Sequence, residues 1–174
     1  QNSYLVMVRS KDGENWSASP ELLYAHPFGG SQDPCLLQLK DGTILCASYG
    51  WTQVRADGIP NLKKPYFENS GYIFLGGYLT RSTDGSKSWS DAIYPPHTAA
   101  EIHYNAYGQK LPAYNRGAMY EAKDGRVLWI VASSDSVKKT SNYLLTSTDK
   151  GLTWQYKSEV AKDSVISFNE ASVY

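Results

Sequence analysis

The sequence predicts an all-β fold assembled from repeated four-stranded units. One observation is a polar turn that returns three times, as SKDGENW from Ser10, STDGSKSW from Ser82 and STDKGLTW from Ser147. The other is a succession of short apolar and aromatic runs, bounded by Gly, Pro and Asp, with no helical period over any long window. A turn that recurs with the same polar start and aromatic end marks a repeat architecture. Its local chemistry is self-contained. Asp and Ser side chains bind amides of their own turn, Gly takes a positive φ, and Trp fills the apolar space beneath. Asp12, Trp16, Asp84, Trp89, Asp149, Gly151 and Trp154 are therefore read as scaffold rather than chemistry.

The elements follow in order. Residues 4–9 run into the first turn and form the third strand of a unit. A complete unit then comprises residues 34–39, 43–49, 72–80 and 88–94, counted from the innermost strand outward. The next comprises residues 117–121, 127–132, 142–146 and 154–160. The inner hairpins close on Asp41-Gly42 and Asp124-Gly125, both strong hairpin signals. Residues 167–174 begin the first strand of a further unit.

Composition fits such a domain and removes several functions. The chain has 174 residues, 41% hydrophobic and 20% charged, enough for one sizeable core. Its 17 basic and 17 acidic residues cancel, which argues against a nucleic-acid or membrane-surface partner. The 14 Tyr, 5 Trp and 4 Phe suit both strand packing and stacking on sugars. No run approaches about 18 apolar residues, so no membrane span is expected, and no charged-then-apolar leader opens the chain. If Lys40 faces Thr43 across a two-residue turn, Cys35 and Cys46 are diagonal neighbours on one face. Two free buried thiols are then expected ahead of a strained disulfide.

The three turns resemble the Asp-box (BNR repeat) of the sialidase, or neuraminidase, superfamily, Ser/Thr-x-Asp-x-Gly-x-Thr-Trp. The third copy matches it fully. The first is one residue shorter between Asp12 and Trp16, and the second carries its glycine at Gly85, directly after Asp84. The resemblance implies a six-bladed β-propeller of the sialidase type, with the turns at the outer edge of each blade. The strands add up to two full blades and parts of two more, fewer than the 4 to 8 blades typical of a closed ring. An incomplete propeller is thus expected. It divides into residues 1–30 (two outer strands of a blade), 31–96 (a blade), 97–114 (an inserted loop), 115–162 (a blade) and 163–174 (the start of the next). Its raw edges and half-covered faces call for the missing half or for self-association.

The turns also serve as a ruler. Asp41 to Asp84 is 43 positions whereas Asp124 to Asp149 is 25, so 18 extra residues lie in the stretch 51–71. Asp84 to Asp124 is 40 against 29 from Asp12 to Asp41, so 11 more lie between Pro95 and Tyr114. Long insertions in compact domains are often functional. Asp33 follows Asp12 by 21 positions, and Glu170 follows Asp149 by 21. Arg116 follows Asp84 by 32, which becomes 21 without the 11 inserted residues. Successive blades thus place Asp33, Arg116 and Glu170 at equivalent starts of the innermost strand, ringing one end of a propeller channel.

Two carboxyls and a guanidinium at a channel mouth suit glycoside chemistry. One carboxyl protonates a leaving oxygen, a second supports a nucleophile, and the guanidinium holds a polar or anionic substrate. Such residues also serve as structural ion networks at strand starts. FNEASVY from Phe168 looks like the sialidase strand whose glutamate partners the nucleophilic tyrosine, so the resemblance gives Glu170 that role. QDPCLLQLKDGTILCAS from Gln32 is similar to the recurrent inner hairpin and makes Asp33 the candidate acid/base. The family's Arg-Ile-Pro motif is absent. Of Arg9, Arg55, Arg81, Arg116 and Arg126, the ruler places only Arg116 at the mouth, and the tyrosine nucleophile of sialidases lies in a later blade.

Tyr114, Tyr107 and His103, with His97 and Tyr104, form a candidate sugar-stacking wall in the second insertion. Trp51 and Arg55, with Tyr66 and Phe67, form a candidate rim in the first. His97 and His103 lack the spacing of a zinc pair, so neither a metal nor a cofactor is expected. The resemblance points to a secreted or periplasmic glycoside hydrolase acting on a glycan. A non-catalytic carbohydrate-binding or scaffold propeller is the alternative.

Overall fold

The computed structural model describes residues 3–98, 101–134 and 139–174. Three antiparallel sheets follow one another along the chain. The first pairs β1 (Leu5–Met7) with β2 (Glu21–Tyr24). The second runs in the order β3 (Gly30–Gln38), β4 (Ile44–Gln53), β6 (Tyr72–Ser82) and β5 (Glu68–Asn69). The third runs β7 (Tyr120–Glu121), β8 (Val127–Ser134), β9 (Thr140–Ser147) and β10 (Gln155–Ala161). Among the described residues the only helical element is a 3-10 turn at Ile59–Asn61, and no helix is long and apolar enough to cross a membrane.

The sheets pack face to face. Leu45, Ala47 and Leu79 of the second meet Val127, Trp129, Val131, Tyr143 and Leu145 of the third. Leu5 and Leu23 of the first meet Cys46 and Tyr78 of the second. The middle sheet is covered on both sides, so β4 and β6 read as nearly continuous buried runs, whereas β8 alternates buried with half-buried positions over its first half before running buried to Ser134. The far faces are open. Val6 and Leu22 are exposed on the first sheet, Val8 and Trp16 beside it, and Tyr156 and Val160 on the third.

The three Ser-x-Asp turns are built alike. Each serine hydroxyl accepts an amide four or fewer residues on (Gly13, Ser86, Gly151) and donates to its aspartate at 2.8–3.0 Å. Each aspartate then accepts the amide and side chain of Asn15, Ser88 or Thr153. The second turn keeps the geometry of the third, since Ser86 (φ 63°) adopts the left-handed conformation that Gly151 (φ 84°) holds there. Trp89 packs toward the first sheet and Trp154 lies 5.1 Å from Trp129. Trp16 departs from the expected filling role and stays 58% exposed, because among the described residues no sheet stands on its side.

Several sequence expectations change. Both inner hairpins close on three-residue loops, with Leu39 N–H bonding Thr43 O, Ala122 N–H bonding Arg126 O, and Gly42 and Gly125 at positive φ. The extra loop residue shifts the register by one, so Cys35 faces Ala47 and Cys46 faces Leu36. The thiols therefore lie on opposite faces and are free, Cys35 toward Met119 and Cys46 toward Leu5 and Leu23. The expected fourth strand at 88–94 is reduced to bonds of Ser90 to Arg81 and of Ile93 to Leu79. Residues 167–174 run extended without a ladder, tied by Phe168 N–H to Thr140 O and Val173 N–H to Ala118 O.

Candidate functional site

The start of each innermost strand is irregular. Between Gln32 and Cys35 the β3–β4 register slips, and Asp33 there has φ 48°. A non-glycine residue in that region is held by its surroundings. The bulge lifts Asp33 out of the ladder, as bulges next to binding sites do. In the next sheet Tyr114 still pairs with Ala132 through two backbone bonds. Asn115 then replaces backbone pairing with its side chain, donating to Ile130 O and to Ala171 O and accepting Gly117 N–H. Arg116, the following residue, is thereby turned toward Asp33.

Close approach of backbones sets the spacing between blades. A Cβ at Gly77 would lie 2.2 Å from Ala113 O, and one at Gly117 would lie 1.9 Å from Ala171 O. Gly77 therefore seats the strand that leads to Arg116, and Gly117 seats the segment that carries Glu170.

These constraints bring the three charged residues together. Arg116 Nη1 is 2.8 Å from Glu170 Oε1, and Arg116 Nε is 3.4 Å from Asp33 Oδ2. The Tyr49 hydroxyl donates to the same Asp33 oxygen, and the guanidinium lies 5.2 Å over the Tyr49 ring. The Arg116 side chain is 37% exposed and the two carboxylates slightly more than half, so the cluster is open to a ligand. Burial works against the charge of Arg116, but Tyr49, Asp33 and Glu170 outweigh it and hold the guanidinium above its ordinary pKa. Burial, assisted by the bond to Asp33, pushes the Tyr49 phenol well up, and burial raises Tyr114 as well.

Beside the cluster is an open cleft of ≈ 570 Å³ whose wall includes Gln32, Trp51, Asn69, Tyr72 and Arg116. Trp51 lies 4.6 Å from Phe74 and 5.8 Å from Phe67, and its buried Nε1 has no protein partner. Tyr114 lies beneath, against Tyr49 and Phe74.

Other expected site residues lie elsewhere. Arg55 pairs with Asp57 on a separate surface depression, with its side chain 88% exposed. His103 is buried against Phe67. Tyr107 stacks on Phe28 in a different cleft. The reason is that the two insertions fold onto each other. Tyr104 N–H bonds Pro65 O, Tyr66 bridges Tyr104, and Lys63 and Lys110 lie 4.0 and 4.7 Å from the Tyr104 ring centroid. Among the described residues no group of three or more His, Cys, Asp or Glu is arranged to hold a metal.

Two features escaped the sequence reading. Tyr49 was findable from the hairpin register, which sets it opposite Gln32, next to Asp33. The second is a carboxamide before each charged residue, in Gln32-Asp33, Asn115-Arg116 and Asn169-Glu170.

No protein-family model matches the chain, and no curated protein matches it. Among solved structures, the chain is similar to a protein of unknown function from Dyadobacter fermentans DSM 18053, with 68% identity and a TM-score of 0.96 over 99% of this chain. The chain spans 48% of the length of that protein. It is also similar to the Hadza microbial sialidase Hz136, with 19% identity and a TM-score of 0.60 over 91% of this chain and 31% of that one. A mutant of the α-L-arabinofuranosidase arb93a from Fusarium graminearum matches at 20% identity and a TM-score of 0.49, over 75% and 32%. With three successive antiparallel sheets packed face to face, the chain is an all-β, incomplete β-propeller, a fold similar to that of the Hadza microbial sialidase Hz136.

Proposed function

We propose that the intact protein is a sialidase-like glycoside hydrolase that acts on a glycan at the mouth of the propeller channel. The observation that carries this reading is the convergence of Asp33 from β3, Arg116 from the segment leading into β7 and Glu170 from the extended segment after β10 on one exposed cluster beside a cleft. Asp33 is assigned as acid/base, Glu170 as the carboxylate that supports a nucleophile, and Arg116 as the group that holds the substrate. Trp51 supplies the adjoining apolar wall, with Tyr114 packed behind it against Phe74. The likeness to a sialidase fold supports the class and not the sugar.

Several further assignments belong to the same reading. The three Ser-x-Asp turns are Asp-boxes. Residues 31–96 and 115–162 are blades, with 97–114 an inserted loop. The exposed faces of the outer sheets meet the remaining blades of the parent, or a second copy. The protein is secreted or periplasmic, with no cofactor and a glycan as its partner.

A non-catalytic glycan-binding propeller is the second reading. It is favoured by the pairing of both carboxylates with the same guanidinium, which a purely structural network would also show. Glu170→Gln in the full-length protein separates the two. The hydrolase reading expects turnover to fall by at least about 100-fold with an unchanged melting temperature. Undiminished turnover rejects the role of Glu170, and a wild type that turns over no glycoside favours the binding reading.

A further inference from the structure

A second cleft, of ≈ 280 Å³, shares no lining residue with the one beside Arg116. Its floor is Leu75 and Pro112, both buried. Phe28 and Tyr107 stand over that floor with ring centroids 4.6 Å apart and planes tilted by 51°, and both remain 52% exposed. Rings that only anchored the loop would be covered; these stay half-exposed.

The polar groups around the rings are held in place from behind. Asn105, itself buried, accepts the backbone amides of Tyr107 and Gln109, which fixes the chain that carries both side chains, and its Nδ2 donates to Gln109 Oε1 at 3.4 Å. His26 Nδ1 accepts the Phe28 amide and sets the opposite ring. His97 Nδ1 lies 2.6 Å from Glu101 Oε2, whose side chain is only 2% exposed. With Nδ1 engaged, His97 offers its Nε2, and Lys110, which donates to Glu101 O, lines the same cleft. Burial raises the Glu101 pKa, although the bonds to Thr98 and His97 oppose it. The carboxyl thus orients the imidazole from inside the protein instead of meeting a ligand.

We infer that this cleft is a second saccharide-binding site, in which a sugar ring stacks on Phe28 and Tyr107 while His97, Gln109 and Lys110 take its hydroxyls. A ligand with apolar C–H faces and a rim of hydroxyls matches half-exposed tilted rings encircled by pre-set polar groups. The inference is independent of the hydrolase reading, since no residue of the mouth takes part in it.

The test is affinity electrophoresis of the full-length protein in gels containing arabinan, galactan, xylan or mucin. Wild type and Arg116→Ala are expected to be retarded equally in at least one gel. Tyr107→Ala and Phe28→Ala, checked for unchanged melting, should each bind about 5- to 10-fold more weakly, the loss of one stacking ring. Absence of retardation in all four gels overturns the inference. So does retardation that Arg116→Ala abolishes, or that both ring variants leave intact.

Discussion

The Tyr49 hydroxyl donates to Asp33 across the β3 bulge, so the one aromatic ring beneath Arg116 also fixes the orientation of the carboxylate beside it. Tyr49 is buried, and its counterpart in the next blade is Ala132, which has no hydroxyl to give. Tyr49→Phe removes only this bond. We expect the full-length variant to lose about 1.5–3 kcal/mol of stability, the range for a hydrogen bond to a charged group. We also expect its turnover to fall, because Asp33 loses the bond that orients it. Turnover identical to wild type would place Asp33 outside the chemistry.

Gly117 tests the same site without touching a charged group. A methyl group there would meet Ala171 O at 1.9 Å and push the Glu170 segment away from Arg116. Gly117→Ala should destabilise the protein by about 1–3 kcal/mol, as overpacking does. It should also cut turnover more than the stability loss explains. Gly125→Ala is the control, since its Cβ would meet nothing within 4 Å and any cost is its φ of +84°.

An arginine just before a Ser-x-Asp turn reaches the next turn along the chain. Arg9 donates to Ser86 Oγ at 2.6 Å and to Ser86 O at 2.7 Å, and Arg81 donates through Nε to Lys150 O at 3.0 Å. These bonds join neighbouring blades at the end of the sheets opposite the mouth. Arg9→Ala is expected to lower the melting temperature most, Arg81→Ala less, and Arg55→Ala hardly at all, its exposed pair with Asp57 being worth about 0–1 kcal/mol. Lysine should not rescue Arg9, because it lacks the planar fork. Thermal melts of the three variants check the order.

Stability should fall steeply in acid. Bonds to Asn15 and Ser88 hold Asp12 and Asp84 far below the usual carboxylate range, and the bond to Lys150 brings Asp41 down to about 2. Each folded pKa lies below the unfolded value, so the unfolded chain binds more protons in this window and stability rises with pH through it. The contribution is complete above the ordinary value of 3.8 and is lost as pH falls toward 2. Melting temperatures between pH 2 and 6 should therefore plateau above about pH 5. Asp84→Asn should flatten the acid limb, and an unchanged limb would contradict this account of the turns.

The order of the third sheet, of the inner three strands of the second, and the meeting of Asp33, Arg116 and Glu170 were legible because they follow from fixed spacings between the polar turns, whereas the outermost place of the second sheet goes to β5 instead of residues 88–94. Register was not, since an Asp-Gly pair fits loops of two or three residues, and the extra residue moved Cys35 and Cys46 to opposite faces. The insertions were legible in length but not in direction. Nothing local in HTAAEIHYNAYGQK distinguishes a ring at the mouth from one buried against the other insertion. His103 therefore lies on Phe67, and Tyr107 stands over a different cleft. Tyr49 is one more apolar strand position in the sequence, and only the hairpin register sets it opposite Gln32, beside Asp33.

The central claim is that the cluster of Asp33, Arg116 and Glu170 engages a sugar. Its most direct test is a crystal structure of the full-length Glu170→Gln variant soaked with a glycoside that the wild type hydrolyses. The account expects one sugar ring at the mouth, with its glycosidic oxygen within hydrogen-bond distance of Asp33 and a polar group on Arg116. A sugar bound in the channel but away from both residues, or a wild type without activity toward any glycoside, would contradict it.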